Sequence, residues 1–155
     1  MSAARIVSLN CSNGGVPKLP VDAAWASSNG MEGDRQRNLK YHGGPDRALS
    51  LYSLELIERL QREGHPIAPG SAGENVTIGG LDWTRMLPGA RLEMGDVLIE
   101  LTSFAVPCKT IRAAFAGEEF TRISDRIYPG WSRVYARVLS EGLLQVGARV
   151  TLSEG

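Results

Sequence analysis

Short apolar runs alternate with glycine-containing turns along most of the chain, and this pattern predicts β-structure. The predicted strands cover residues 5–9, 48–52, 75–78, 97–102, 131–140, 143–146 and 149–152. One or two further strands are expected within 16–28, where Pro17 and Pro20 favour an edge position. Short strands joined by tight turns are typical of barrels and sandwiches. We therefore expect a mainly β fold, compact and β-barrel-like, with one main helix and short peripheral helices.

One segment carries the signals of a helix of several turns. Ser53 is a suitable N-cap, Glu55 places negative charge in the first turn, and Gly64 provides a stop. The predicted helix spans residues 54–63. Its buried face is expected to hold Leu54, Ile57 and Leu60, which are spaced three apart. A second, shorter helix is expected at 110–116.

The composition is that of an ordinary cytoplasmic domain. The chain has 155 residues, the size of one domain, and its 17 lysines and arginines balance its 17 aspartates and glutamates. This balance argues against a general nucleic-acid or membrane-surface binder. No apolar window is long enough to span a bilayer, and residues 6–9 are too short for a signal-peptide core. We expect one domain covering residues 1–155, in the cytoplasm and with reduced thiols.

Cys108 is the strongest single candidate for chemistry. It follows the strand predicted at 97–102, and Lys109 and Arg112 come shortly after it. Nearby positive charge favours the thiolate, which is the nucleophilic and metal-binding form of cysteine. The alternative is a structural role, because free cysteines are often small buried core residues.

The other cysteine, Cys11, lies close to the N-terminus. Two cysteines so far apart form no paired-cysteine zinc motif, and neither His42 nor His65 stands at a zinc-finger spacing. A zinc site assembled from these four residues, and a disulfide between the two cysteines, are alternatives that the spacing does not support.

A polar, glycine-containing loop lies between residues 33 and 47. Gly43 and Gly44 allow backbone N–H groups to approach a ligand closely. Basic side chains in the same loop have the chemistry to hold a phosphate or a similar oxyanion. They are Arg35, Lys40, His42 and Arg47. The alternative is a solvated turn in which Asp34 and Asp46 neutralise the arginines. No Walker or Rossmann motif accompanies the loop, so an ordinary nucleotide site is not indicated.

A second loop of this kind spans residues 69–77. Gly70 and Gly73 permit sharp backbone turns. Three polar side chains that follow can hydrogen-bond a polar heterocycle. They are Glu74, Asn75 and Thr77. The alternative is that these side chains cap the turn into the strand predicted at 75–78.

These segments form an ordered set of short motifs that extends from about Gly30 to Val150. The motifs are 33–36, 42–48, Tyr52 with Glu55, Gly70, 73–77, Gly80-Leu81, Gly95-Asp96, Pro107-Cys108, Gly130-Trp131 and 137–139. Each motif is weak alone, whereas their joint order and spacing are specific. In that order the chain resembles the MOSC domain, the molybdenum cofactor sulfurase C-terminal domain family.

The resemblance implies a protein that binds the molybdenum cofactor (molybdopterin), a pterin that carries a dithiolene, a metal and a phosphate. By the family's pattern, Cys108 would ligate the metal or carry sulfur, and it is the catalytic candidate. A soft thiolate suits a transition metal, and the cofactor would supply the redox chemistry. The candidate cofactor-binding residues are Arg35, His42, Gly43, Gly44, Arg47, Gly73, Asn75, Thr77, Lys109 and Arg112.

Three functions agree with the resemblance. The leading expectation is a small molybdenum-cofactor-dependent oxidoreductase that reduces N-hydroxylated small molecules. The alternative is a non-catalytic cofactor carrier or sulfur-relay module in which Cys108 holds a persulfide. A scaffold that has lost the cofactor is the third, and the retained Cys108 argues against it. The expected partner is a separate electron-transfer or sulfur-donor protein, since two cysteines are too few for an iron–sulfur centre. Neither nucleic acid nor a membrane is expected.

Overall fold

Strands account for most of the regular structure in the computed structural model, which describes residues 3–12, 16–34 and 44–153. The strands in these ranges are β1 Arg5–Cys11, β2 Leu19–Val21, β3 Ala23–Ser27, β4 Gly30–Met31, β5 Leu49–Ser53, β6 Val76–Gly79, β7 Arg91–Met94, β8 Val97–Phe104, β9 Val134–Ser140, β10 Gly142–Gln145 and β11 Val150–Ser153. The α-helix, α1, is Leu54–Arg62, and the short 3-10 helices are Pro45–Arg47, Trp83–Arg85, Lys109–Ala114, Ala116–Glu118 and Phe120–Ile123. The expected mainly β fold with one main helix and short peripheral helices is confirmed.

The strands form two sheets that are not closed into a barrel. The larger sheet has the order β11-β7-β8-β9-β5-β6-β1-β2, and the smaller has the order β10-β3-β4. Among the described strand pairs only β5 and β6 run parallel, because α1 lies between them and makes the crossover that a parallel pair needs. The edge strand β11 returns to β1 through an isolated bridge between Arg5 and Arg149. The larger sheet therefore curves back on itself without a continuous closing ladder.

Helix α1 begins and ends where its capping residues stand. The Ser53 Oγ accepts a hydrogen bond from the Leu56 N–H at 3.1 Å, which satisfies one unpaired donor of the first turn. Gly64 follows the C-terminal cap with a φ of 100°, a conformation that favours glycine. The residues that the helix buries are Leu56, Ile57 and Leu60. Leu54, expected on this face, is half-buried because it lies on the flank of the stripe.

The strand predicted to begin at Trp131 starts instead at Val134. Side chains donate hydrogen bonds to backbone carbonyls that would otherwise pair with a neighbouring strand. The Tyr52 hydroxyl donates to the Trp131 carbonyl at 2.7 Å, and the Trp83 indole N–H donates to the Ser132 carbonyl at 2.8 Å. These bonds hold the chain outside the β-ladder until β9 begins.

Two short stretches also differ from the sequence prediction. Residues 91–94, which the sequence pattern does not assign to a strand, form β7, and Gly95 and Asp96 make the turn that joins it to β8. The two-residue strand β4 is not predicted, because so short a segment has no alternation to recognise. In both cases a hairpin partner, rather than the local sequence, determines the conformation.

Strand β5 connects the apolar core with the candidate site, and all five of its residues are buried. Leu49, Leu51 and Tyr52 pack in the hydrophobic core. Side chains alternate along a strand, so Ser50 points away from Leu49 and Leu51. Its hydroxyl lies 3.3 Å from the Asn75 Oδ1, among buried polar side chains of the neighbouring strands. Both faces of the sheet are thus buried at β5, and the face opposite Leu49 and Leu51 carries polar residues of the candidate site.

Ile57→Asp should strongly destabilise the domain, because Ile57 is 0% exposed and the new carboxylate would be buried without a partner. We expect a loss of at least about 3 kcal/mol in chemical denaturation followed by circular dichroism. Glu58→Gln, at the exposed neighbouring position, should change the free energy of unfolding by less than about 0.5 kcal/mol. An Ile57→Asp protein that unfolds at the wild-type denaturant concentration would show that this face of α1 is not buried.

Candidate functional site

A layer of buried polar side chains covers the face of β1, β5 and β6 opposite the core. Asn10, Ser50, Asn75 and Thr77 all belong to it. The Asn10 Nδ2 donates to the Glu74 carbonyl and to the Thr77 Oγ1, each at 3.2 Å. The Thr77 hydroxyl in turn donates to the Glu74 Oε2 at 3.0 Å. Buried polar groups need partners, and these side chains find most of them in one another, although the Glu74 Oε1 has no hydrogen-bond partner among the described residues.

Glu74 places a carboxyl group at the centre of this layer, where it is fully buried. Burial raises the pKa of Glu74, and hydrogen bonds from the backbone at Gly70 and Glu74 and from Thr77 offset part of that increase. The positive charge of Arg133 acts in the same direction as these bonds. Arg133 is itself buried and donates from Nη1 to the Ala72 carbonyl at 2.8 Å. Its guanidinium therefore supports the polar layer from inside the protein.

The side chain of Asn75 is held by internal hydrogen bonds. Its Nδ2 donates to the Asp34 Oδ2 at 2.7 Å and to the Asn10 carbonyl at 3.4 Å. Its Oδ1 accepts from the Ser50 N–H at 3.0 Å and lies 3.3 Å from the Ser50 hydroxyl, whose one proton also has the Gly73 carbonyl within reach at 3.2 Å. Both amide donors and at least one acceptor position are thus occupied inside the protein. A predicted contact of Asn75 with a cofactor through its amide donors would require one of these bonds to break.

Asp34 and Lys18 form a buried ion pair beside Asn75. The Lys18 Nζ and the Asp34 Oδ2 are 2.7 Å apart, and the two side chains are 8% and 4% exposed. The Asp34 Oδ1 also accepts the Ser12 N–H at 2.9 Å. Asp34 is therefore not part of a solvated turn, as one alternative had it, and its described cationic partner is a lysine.

Gly70 and Gly73 shape the loop that closes over the polar layer. Gly70 has a φ of 87°, and a Cβ atom there would lie 2.3 Å from the Lys18 carbonyl oxygen. Gly73 has a φ of 81°, and its carbonyl accepts the Ser50 hydroxyl at 3.2 Å. Both glycines adopt the left-handed conformation that other residues avoid. The sharp turns predicted at these two positions are confirmed.

Gly44 and Arg47 lie on a turn that packs against β9. Gly44 has a φ of 95°, and a Cβ atom built there would meet no atom of residues 3–12, 16–34 or 44–153 within 4 Å. The Arg47 guanidinium lies over the ring of Tyr135, 5.2 Å from its centroid. The Asp46 carboxylate pairs with Arg137 at 3.4 Å, which fixes the turn to the strand.

Cys108 lies in the loop that follows β8, in extended conformation, directly before the 3-10 helix Lys109–Ala114. Its thiol is half-buried, outside the hydrophobic core, and its Sγ is 2.8 Å from the Thr110 Oγ1. Arg112 pairs with Glu118 at 3.2 Å and donates to the Lys109 carbonyl at 2.9 Å. The structure thus places the thiol where a ligand can reach it, while the charge of Arg112 is directed to a carboxylate.

Cys11 differs from Cys108 in its surroundings. It is the last residue of β1, packs against the hydrophobic core, and has its Sγ 3.9 Å from the Glu32 carbonyl. Burial raises the pKa of the Cys11 thiol, and the nearby Asp34 carboxylate raises it further. Both cysteines are free, so the disulfide alternative is wrong for this structure.

The segment after Cys108 is attached to the C-terminal end of α1. The His65 Nδ1 accepts the Ala116 N–H at 3.0 Å. Arg122 donates to both carboxylate oxygens of Glu63, at 2.9 and 3.0 Å, and its guanidinium lies 3.9 Å from the Trp131 ring centroid. The Glu63 pKa is lowered chiefly by its hydrogen bond from Arg122. These contacts fix the loop that carries the thiol.

A cleft of about 420 Å³ opens beside the end of β8. Its walls are mostly apolar and include Trp83, Met86 and Phe104, with the Asp125 carboxylate among the lining groups. Of the sequence motifs, Gly130-Trp131 reaches this cleft through Gly130, and the other walls come from segments that the motifs do not mark. Clefts of this size and character are usual for small-molecule ligands.

The predicted site residues fall into three groups. Cys108, Lys109, Gly44 and Arg47 lie at or near the surface, and Arg112 is exposed but paired. Gly73, Asn75 and Thr77 belong to the supporting layer beneath. Arg35, Lys40, His42 and Gly43 lie outside the described residues. Sequence reasoning missed Lys18 and Tyr135, although the alternation around Tyr135 marks it as facing away from the core. For Arg133 the alternation with Val134 leaves a choice between the site pocket and water, and the structure buries it. Within the described ranges, no cluster of three or more histidine, cysteine or acidic side chains is arranged to hold a metal ion.

The sequence profile of the MOSC domain matches residues 38–151 of this chain. The chain belongs to the MOSC domain family. This family is associated with molybdenum cofactor binding. The family resemblance carried by the ordered motifs is therefore confirmed.

Two relatives of the MOSC chain are bacterial proteins. It is 30% identical over 144 residues to the uncharacterized protein YflK of Bacillus subtilis, covering 89% of this chain and 62% of YflK. It is 33% identical over 106 residues to the protein YiiM of Escherichia coli, covering 64% of this chain and 47% of YiiM. The chain thus spans less than two thirds of the length of these relatives.

Solved structures share the MOSC fold. YiiM from Geobacillus stearothermophilus has a TM-score of 0.73 and 26% identity, over 97% of this chain and 75% of that one. YuaD from Bacillus subtilis has a TM-score of 0.78 over 99% and 97% of the two chains, and at 17% identity this likeness supports the fold alone. In the described part of this MOSC chain, no helix combines the length and apolar character of a membrane span.

Cys108 should react faster than Cys11 with iodoacetamide at about neutral pH. The reason is that Cys11 packs against the core with a raised pKa, whereas the Cys108 thiol lies outside the core. Peptide mapping of native protein after a short exposure should find the label on Cys108 first. Protein unfolded in denaturant serves as the control, and there both thiols should react at similar rates. Preferential labelling of Cys11 in the native protein would contradict this placement of the two thiols.

Proposed function

We propose that this MOSC protein binds the molybdenum cofactor and reduces N-hydroxylated small molecules, with electrons from a separate electron-transfer protein. The observation that carries the proposal is the position of Cys108, whose half-buried thiol is held outside the hydrophobic core directly after β8. A structural cysteine is stabilised by core burial, which this one lacks. Family membership supplies the class of cofactor.

The residues present fit this cofactor in chemistry. A thiolate is a soft ligand for a transition metal, and a guanidinium binds phosphate through charge-assisted hydrogen bonds. Arg47 lies over the ring of Tyr135, and Tyr135 on β9 is the register partner of Ser103 on β8, the strand that precedes Cys108. The two candidate groups are therefore attached to neighbouring strands of the larger sheet.

The candidate residues that lie at or near the surface in the described part of the chain would bind different parts of the cofactor. Cys108 would ligate the metal, and the Thr110 hydroxyl, 2.8 Å from its Sγ, would orient the thiol. Arg47 would hold the phosphate, while the backbone of Gly44, which carries no side chain, admits the pterin ring. Lys109 is exposed beside the thiol and adds positive charge. Binding thus uses surface groups whose positions are set by the buried layer.

The proposed reaction removes a hydroxyl group from nitrogen. The N–O bond of R–NH–OH breaks, two electrons and two protons are taken up, and R–NH₂ and water leave. When bound, the cofactor supplies the metal centre through which the electrons reach the substrate. A reduced flavin or iron–sulfur protein provides both electrons and is itself oxidised. The chain's own part is to hold the cofactor and to orient the substrate, and solvent supplies the protons.

The cleft beside β8 suits the substrate of such a reaction. Trp83 and Phe104 present apolar surface to a flat ring, which favours a heteroaromatic compound. The Asp125 carboxylate accepts the Gly130 N–H at 3.2 Å and retains capacity for a second donor, such as an amino or hydroxylamino group. A hydroxylamine derivative of a nucleobase combines these features.

Cys108→Ser should abolish turnover of a hydroxylamine derivative of a nucleobase when the cofactor-loaded protein is assayed with an added reductase. A serine hydroxyl is a far poorer ligand for a soft metal than a thiolate. Cys11→Ser is the matched control and should retain turnover, because the Cys11 side chain packs against the hydrophobic core and is not a candidate ligand. Undiminished turnover by Cys108→Ser would refute the assignment. A stable Cys108 persulfide in wild-type protein that shows no turnover would establish sulfur relay instead.

Arg47→Ala should speed cofactor loss on dialysis by about tenfold or more, since a charge-assisted hydrogen bond contributes about 1.5–3 kcal/mol. Pterin fluorescence of the dialysed protein gives the rate. Arg91→Ala serves as the control. Arg91 lies on β7, next to the edge strand β11 of the larger sheet, and pairs with Glu100 of β8. Equal retention by the two variants would show that Arg47 serves only its turn and Tyr135.

A further inference from the structure

Two ends of one chain segment are fastened to the same side chain. Asp34 and Ser50 bracket the stretch of sequence that carries Gly44 and Arg47. The Asn75 amide donates to the Asp34 Oδ2 at 2.7 Å and accepts the Ser50 N–H at 3.0 Å. These partners determine the orientation of the amide, because a carboxylate requires its NH₂ group and a backbone N–H requires its oxygen.

Lys18 completes this arrangement with a buried positive charge. Its Nζ lies 2.7 Å from the Asp34 Oδ2, and the Ser12 N–H donates to the other carboxylate oxygen at 2.9 Å. Replacement of a buried ion pair by apolar residues is often neutral or stabilising, so stability alone does not account for such a pair. In some proteins that have been studied, buried polar groups make the chain adopt one conformation rather than several. The three bonds to Asp34 leave its carboxylate one orientation.

The surroundings of these residues are closely packed. The Lys18 N–H donates to the Gly70 carbonyl at 3.0 Å, and a Cβ atom on Gly70 would lie 2.3 Å from the Lys18 carbonyl oxygen. The Asn10 N–H donates to the Asn75 carbonyl at 2.8 Å. Both Lys18 and Asn75 are therefore held through their backbones as well as their side chains. Neither can shift without breaking bonds to a neighbouring strand or loop.

We propose that Asn75, Asp34 and Lys18 are positioning residues of the cofactor site. They hold together the two ends of the segment between Asp34 and Ser50, and thereby place Arg47, without touching the cofactor themselves. This inference rests on the proposed function. It assigns to Asn75 a different role from the direct contact that the sequence motif implies, and it adds two residues that lie outside the predicted ligand set.

The test compares two variants of this cluster with a variant that is destabilised elsewhere. Asn75→Ala would leave two buried groups unpaired and risks unfolding, so Asp34→Asn and Lys18→Met are used. Leu92→Ala is the matched control, because Leu92 is 0% exposed in β7 and its truncation leaves a core cavity. All proteins are full-length and come from a host that makes the molybdenum cofactor. Molybdenum and pterin contents are followed during dialysis, and tryptic cleavage between residues 34 and 50 is timed in cofactor-free protein.

Asp34→Asn and Lys18→Met should each lose the cofactor about tenfold faster than wild type. Their cofactor-free forms should be cut between 34 and 50 about threefold faster, relative to cleavage elsewhere in the chain. Leu92→Ala should keep wild-type values for both measurements despite a lower melting temperature. Cofactor loss by Leu92→Ala equal to that of the cluster variants would overturn the inference, because stability alone would then explain it.

The two measurements separate this inference from the proposed function. Wild-type protein that contains neither molybdenum nor pterin would refute the proposed function. The cleavage comparison needs no cofactor, and wild-type cleavage rates in both Asp34→Asn and Lys18→Met would refute the positioning role. Accelerated cleavage together with undiminished cofactor retention would also refute it, since the segment would then be held without effect on the site.

Discussion

The hydrogen bonds of the Asn75 amide are the interaction on which the arrangement of the site depends. They connect Asp34, the start of β5 and the end of β1 in a largely buried region. A buried polar group that loses its hydrogen-bond partner destabilises the protein by about 1–3 kcal/mol, so displacement of any one of these partners is unfavourable. The apolar core stabilises the sheet, whereas this polar layer determines where the surrounding loops lie.

The candidate site therefore consists of groups that are exposed for contact and groups that support them. Cys108, Gly44 and Arg47 present a thiol, a glycine backbone and a guanidinium. Glu74 and Asn75 lie beneath and have no exposed surface. Basic groups thus lie near the surface although the formal net charge of the chain is zero. In the supporting layer the charges of Lys18 and Asp34 pair with each other, whereas Arg112 at the surface pairs with Glu118.

Features with local signals could be predicted from the sequence, and features that depend on distant partners could not. The bounds of α1 follow from Ser53 and Gly64, because capping acts within one turn. The position of Cys108 after a strand follows from the apolar run before it. The role of Asp34 had no such signal, since Lys18 is 16 residues away and Asn75 is 41 residues away along the chain. Hydrogen bonds over such separations leave no periodic trace in a single sequence.

The most direct measurement is the molybdenum and pterin content of wild-type protein purified from a host that makes the cofactor. We expect about one molybdenum and about one pterin per chain, because a cofactor that carries the chemistry must be present in stoichiometric amount. X-ray absorption at the molybdenum edge should then detect a sulfur ligand that Cys108→Ser lacks. Folded wild-type protein with neither metal nor pterin, from a host whose other molybdenum enzymes are loaded, would contradict the assignment of this surface as a cofactor site.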